Sequence, residues 1–362
     1  MTRELPVITD PRQVQINSSL INRFWLSLIR DERDLPFVHL LARITLVIIP
    51  LGVLLYLPFV SGWVWWAVAI LYLYFNNMVF KGPFGLMTHC ISHRKLFKRE
   101  VDWLNHYSNW LIGPFFGQSP NSYFTHHVGM HHPENNLEDD DSSTMLFQRD
   151  SFTSFLRYEA KFLFLGFYNV TRYFRTHDRP KLRHMLVIGE MGLFAFWALM
   201  CLVNWQATLV VFILPFFISR LIMMLGNWTQ HAFVDFDEPE NFFKNSVTCV
   251  NTKYNHKCWN DGYHTSHHLK PNLHWTALPD HLEQNLDEFA ENRALVFQDI
   301  HYLHLWWWLM TKNYDKMVDH LININGMFSS REEAIELLKS RTRRMPRRGI
   351  TSTSLRARAQ AA

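Results

Sequence analysis

The chain has 362 residues, 48% hydrophobic and only 19% charged, with a formal net charge of +4. The charged share falls below the roughly 25% of soluble domains, which points to a membrane protein, and a balance so near neutral gives no argument for nucleic-acid binding. Cys90, Cys201, Cys249 and Cys258 show no CxxC spacing, which excludes a disulfide-stapled secreted scaffold and suggests reduced thiols on a cytoplasmic face.

Residues 1–37 read as a cytoplasmic segment with no apolar run of the kind a cleaved signal needs. From Ile44 to Phe80 there are 37 residues without Asp, Glu, Lys or Arg. About 20 residues cross a bilayer as helix, so this run predicts two crossings, about 40–58 and 62–80, with a turn near Pro58 to Gly62. Gly82, Pro83 and Gly85 then predict a kink ahead of His89 and His93. Trp103 to Gly117 is too short and too interrupted for a crossing, and reads as re-entrant. The run His126, His127, His131, His132 follows, then the acidic stretch Glu138 to Asp141, read as loop. Phe152 to Tyr168, with Arg157, Glu159 and Lys161 among aromatics, reads either as an interfacial helix or as a soluble packing helix.

The uncharged run Met191 to Ser219 predicts two more crossings, about 184–203 and 207–226, broken at Asn204 to Gln206. Basic residues flank the side opposite the two uncharged turns, among them Arg43, Lys81, Lys95, Arg172 and Lys181. By the positive-inside rule both termini are then cytoplasmic. The expected architecture is an all-α integral membrane protein: four transmembrane helices in two hairpins and a cytoplasmic helical cap, residues 38–330 forming one catalytic domain. Residues 331–362 read as a basic, disordered tail.

The histidines give this topology a chemical purpose. His264, His267 and His268 stand at i, i+3 and i+4, so a helix turns three imidazoles toward one spot. Imidazole is a common ligand of iron, copper, nickel and zinc, although a His-rich helix is also met solvated or binding adventitiously. His89 and His93 are four apart, as are His127 and His131; His132 lies about 100° round an ideal helix and must reach back. His127 is preferred over His126 as a ligand. With four crossings, all three clusters emerge on the cytoplasmic side. Asp235, Asp237 and Asp261 are candidates to orient imidazoles, and each is otherwise an ordinary loop acid.

The three boxes HCISH, HHVGMHH and HTSHH, in that order around two hydrophobic hairpins, resemble those of the membrane fatty acid desaturase and hydroxylase superfamily over about residues 40 to 280. Asn227, Trp228, Thr229, Gln230 and His231 fit the NxxxH pair of its stearoyl-CoA desaturase branch. The resemblance implies nine histidine ligands, His89, His93, His127, His131, His132, His231, His264, His267 and His268, with Asn227 linked through water. It also implies two iron ions, O2 as co-substrate and a long acyl chain as substrate. Zinc has no redox chemistry, so hydrogen removal from an unactivated methylene independently favours iron. His264 stands where front-end desaturases usually carry Gln, which disfavours that subgroup. No HPGG signature or ferredoxin cysteine pattern is present, so electrons are expected from a separate ferredoxin or cytochrome b5 type of protein.

The expected function is acyl desaturation. Hydroxylation of an alkane, carotenoid or sphingolipid, or oxidative decarboxylation of a fatty acid to a terminal alkene, would use the same site. A non-enzymatic haem or metal-transport protein would carry histidines within its spans, and these spans have almost none.

Overall fold

The computed structural model describes residues 5–361, with side chains through residue 357, and is mostly helical. It divides into two compact units, one of residues 13–126 and 174–222, the other of the chain up to residue 12 with 127–173 and 223–362.

In the unit of residues 13–126 and 174–222, α1 (Leu20–Leu28) is capped by Ser19, whose side chain accepts from the Asn22 amide. Next, α2 (Leu35–Leu54) starts with a proline in its first turn, where no amide donor is needed. The helix α3 (Gly62–His93) runs past the predicted end at residue 80 and carries His89 and His93 on the same continuous helix. A π turn, Phe75–Phe80, comes just before Pro83, and such turns are where helices absorb a missing ladder bond. Residues 99–116 form short 3-10 and π turns, Arg99–Leu104, Tyr107–Ile112 and Gly113–Phe116.

Among the described residues three stretches are long and apolar enough to cross a membrane, Glu32–Leu54, Gly62–His93 and Pro180–Gln230, rather than the four separate runs predicted. The third has 51 residues, which at about 1.5 Å per residue exceeds twice the thickness of a hydrocarbon core of about 30 Å. Its one break is Asn204, with φ −160° and ψ 102°. There the Asn204 side chain accepts from the Ala207 amide at 3.0 Å and starts a new helix as its cap. Side chains on either side of the break touch: Phe196 and Phe212 have ring centroids 5.0 Å apart, Trp197 and Phe216 also 5.0 Å, and Arg220 pairs with Glu190 at 2.9 Å.

The second unit departs from an all-helical fold. Val247–Val250 and Leu295–Gln298 form a two-stranded parallel sheet, Val247 opposite Leu295. Both strands are short, rich in β-branched or aromatic residues, and almost wholly buried. Runs of four apolar residues cannot be told from helix by periodicity. The sheet belongs to a core that includes Val250, Tyr263, Leu278, Leu282, Phe289 and Val296, and Tyr263 is followed directly by the third box. A side chain at Gly262 would collide with the Cys249 carbonyl and the Asn255 side chain, so only glycine lets the strand approach this turn. Asp10 accepts from the Tyr263 hydroxyl at 2.7 Å and brings the N-terminal segment beneath it.

Over residues 331–361 the tail corrects the expectation of disorder, and position 362 of that expectation lies outside the described residues. Arg331–Arg341 is a helix capped by Ser330, Met345 is buried, and Ser352–Ala361 is helical again. Its backbone is held by earlier segments: the Val234 amide donates to Arg341 O, the Arg149 amide to Thr342 O, and the Met345 amide to Met145 O. Composition registers the charge of this tail but not the carbonyls it offers.

Candidate metal centre

The second box sits on a helical segment of residues 122–134 whose middle, His127–His131, is a π turn. In that wider turn bonding runs from i to i+5, which brings His132 onto the same face as His127. Their Nε2 atoms are 3.0 Å apart, and His267 Nε2 lies 3.0 Å from that of His132. His131 faces elsewhere, toward His231, His264 and His268. His264 Nε2 is 3.1 Å from His231 Nε2 and 3.0 Å from His268 Nε2. Two expectations are thereby corrected. His127 and His131 do not share a group, and the third box does not aim at one spot: His267 joins His127 and His132, whereas His264 and His268 join His131 and His231.

His127, not His126, stands among these clustered imidazoles. His89 and His93 lie together on α3 in the other unit, ring centroids 5.5 Å apart.

Hydrogen bonds on the far side of two rings fix what the near side offers. His231 Nδ1 is 2.7 Å from Asn245 O; a carbonyl only accepts, so Nδ1 holds the proton and Nε2 presents a bare lone pair. His131 Nδ1 is 2.7 Å from Asp140 Oδ2 and, donating to that carboxylate, also leaves Nε2 bare. Burial, reinforced by neighbouring His131, lowers the His231 pKa to about 3, and burial with His264 holds His268 well below its ordinary value. His231 and His268 are therefore neutral at physiological pH.

Lone pairs converging in a buried space repel unless something electropositive lies between them. A metal–nitrogen bond of about 2.1 Å puts donors at right angles about 3.0 Å apart, which is the spacing found here. The described residues thus fit a metal ion held by His131, His231, His264 and His268, with His127, His132 and His267 offering donors to a second. Among first-row metals, all-imidazole donors suit iron, copper, nickel or zinc.

The carboxylate that orients a ring is Asp140, within the stretch read as loop. It is anchored by the Ser142 amide at 2.9 Å and the Ser142 hydroxyl at 2.6 Å. Of the acids predicted for that work, the carboxylates of Asp235 and Asp261 have other partners. Asp235 pairs with Arg341 at 3.2 Å, Asp237 donates its amide to Asp235, and Asp261 accepts from the Tyr254 hydroxyl at 2.6 Å. Only the chain reversal after His132 brings Asp140 back to His131, and spacing does not show it. Asp140→Asn keeps the shape but loses the charge that holds the Nδ1 proton, and is expected to weaken metal binding about 10- to 100-fold; competition with a chelator measures it, and an unchanged affinity would refute the role.

Asn227 lies one helical turn before His231, and its Nδ2 donates to Ser142 O at 2.9 Å and to the Tyr158 hydroxyl at 2.7 Å. Its donors are thus spent on protein, and Oδ1 is the atom left to receive a proton from water.

No curated protein and no solved structure matches the chain. The family model described as fatty acid desaturase matches residues 63–301. This stretch covers well over half of the chain and includes every histidine of the three boxes, so the chain belongs to the fatty acid desaturase family.

Proposed function

We propose that the protein is an oxygen-dependent, membrane-embedded di-iron enzyme that introduces a double bond into a long acyl chain with electrons from an external ferredoxin or cytochrome b5 type of donor. The observation that carries this reading is the pair of neighbouring imidazole clusters, in one of which the far-side bonds of His231 and His131 leave their Nε2 atoms bare. Iron bound there would supply the redox chemistry with O2 that an unactivated methylene requires. The chain's own part is to hold and orient. His131, His231, His264 and His268 take one ion; His127, His132 and His267 take the other, joined in this proposal by His89 and His93 as the family motif assigns them. Asp140 and the Asn245 carbonyl keep protons off the metal-facing nitrogens. Asn227 Oδ1 accepts from a water beside the ion held by His231. The substrate is positioned by an apolar tunnel, whose shape selects the carbon that reacts.

Four crossings belong to the same proposal, the break at Asn204 making two of Pro180–Gln230, with both termini cytoplasmic. Cysteines introduced at Ser61 and Trp205 are expected to label from outside, and tags at residues 1 and 362 only after permeabilisation. Labelling of position 61 from the same side as the tags would refute the topology.

Expression in a host that supplies reductant, followed by mass spectrometry of lipids, alcohols and alkenes and metal analysis of the purified chain, tests the function. New unsaturated acyl chains and two irons per chain are expected. Hydroxylated products or terminal alkenes would move the chemistry to the other outcomes of the same site, and activity surviving iron removal would overturn the proposal.

A further inference from the structure

A groove between the first two helices lies apart from the histidine clusters in the sequence and uses none of the residues assigned to them. α1 docks on α2 where His39 Nε2 meets Asn22 Oδ1 at 2.8 Å, and Asn22 is itself tied to Asn17. Beside this contact lies a cavity of about 520 Å³ lined by Ile21, Trp25, Pro36, His39, Ala42 and Arg43, within the range of about 300–1,000 Å³ that small-molecule sites occupy.

The lining is mostly apolar, with one cation at its lip. Arg43 is exposed and forms no hydrogen bond or ion pair with any described residue. It is the ninth residue of α2, roughly 12 Å along the helix, and the last charge before the uncharged run Ile44 to Phe80. The predicted crossing of about 40–58 places it roughly one turn inside the headgroup end. A guanidinium there is costly unless it reaches an anion, and its long stem lets it bend toward one. On α1, Leu20, Ile21 and Phe24 are exposed apolar side chains, while Arg23 is exposed among them; a helix of this pattern lies at a membrane surface. An apolar cleft with a lone arginine at its mouth matches an amphiphile with an anionic head, and the planar guanidinium fork suits phosphate oxygens.

We propose that this groove binds one glycerophospholipid, its phosphate on Arg43 and an acyl chain along Ile21, Trp25 and Ala42. The full chain, purified in detergent and delipidated, is titrated with dioleoylphosphatidylglycerol and followed by native mass spectrometry, with oleate and inorganic phosphate as competitors. One saturable lipid adduct is expected, displaced by neither competitor. Arg43→Ala should weaken it about fivefold or more, and Ala42→Trp, which fills the groove and keeps the charge, should weaken it comparably. Circular dichroism and bound iron equal to those of the unaltered chain show that both variants are folded. An adduct that does not saturate, or equal binding by Arg43→Ala, overturns the proposal. Displacement by oleate at equal concentration also overturns it, because the site then takes free fatty acid.

Discussion

On the two-iron proposal, a His231→Ala variant is expected to make no product and to lose roughly half of its bound metal, the half assigned to the cluster of His131, His231, His264 and His268. His231 is fully buried, with its Nδ1 proton on Asn245 O and its Nε2 3.1 Å from that of His264. Alanine removes one of four donors and offers no replacement, and it leaves the Asn245 carbonyl without this partner. Asn227→Ala separates ligation from the handling of water: it should retain most of the iron yet lose much of the turnover. Iron content and product are measured together at matched expression. Product at the unaltered level from both variants would mean that the NxxxH pair plays no part in the reaction.

Arg149→Ala is expected to leave little folded protein. Arg149 is wholly buried, yet among the described residues its guanidinium meets no carboxylate at hydrogen-bond distance; it donates to the carbonyls of Ala232, Thr144, Met145, Phe147, Arg341 and Arg343 at 2.6 to 3.3 Å. A buried acceptor stripped of its donor costs about 1–3 kcal/mol. Even with several of the six rescued by water or by second donors, the loss rivals the whole stability of a domain, about 5–15 kcal/mol. Arg149→Lys keeps the charge but has three donors on one atom in place of a fork, and should fall between. Detergent-extracted yield and thermal midpoint measure the effect. A midpoint lowered by no more than 2 °C for the alanine variant would show that these bonds are not what holds the region together.

The clustering of the box histidines was legible because i, i+3 and i+4 spacing on a helix is a local property, and so were the long uncharged runs. Their division into two groups was not. It depends on the π turn at His127–His131, and no residue in HVGMH announces a change of hydrogen-bond register. Asp140 escaped for a related reason: its partner is nine residues away across a reversal, and Glu138 to Asp141 looks the same in sequence whether it faces solvent or an imidazole. The short parallel strands and the ordered tail are both fixed by partners distant in sequence, which neither hydropathy nor charge encodes. The tail was misread because arginines suggest solvent, whereas here it is largely their backbone carbonyls that anchor the segment.

The reach of Arg149 has a consequence for the order of events during synthesis. Its farthest partner, Arg343, is separated from it by 194 positions, and contacts of such range form late because a long loop must close first. On the ribosome, the segments bearing His131, His231 and His264 emerge well before residue 343 is made. Until then the Ala232 carbonyl, next to His231, and the guanidinium that holds it lack the backbone that completes their shell. This shell is therefore completed only after residue 343 leaves the ribosome, and chains ending before residue 341 are expected to lack the Arg341 and Arg343 carbonyls to which Arg149 donates, and to fold poorly.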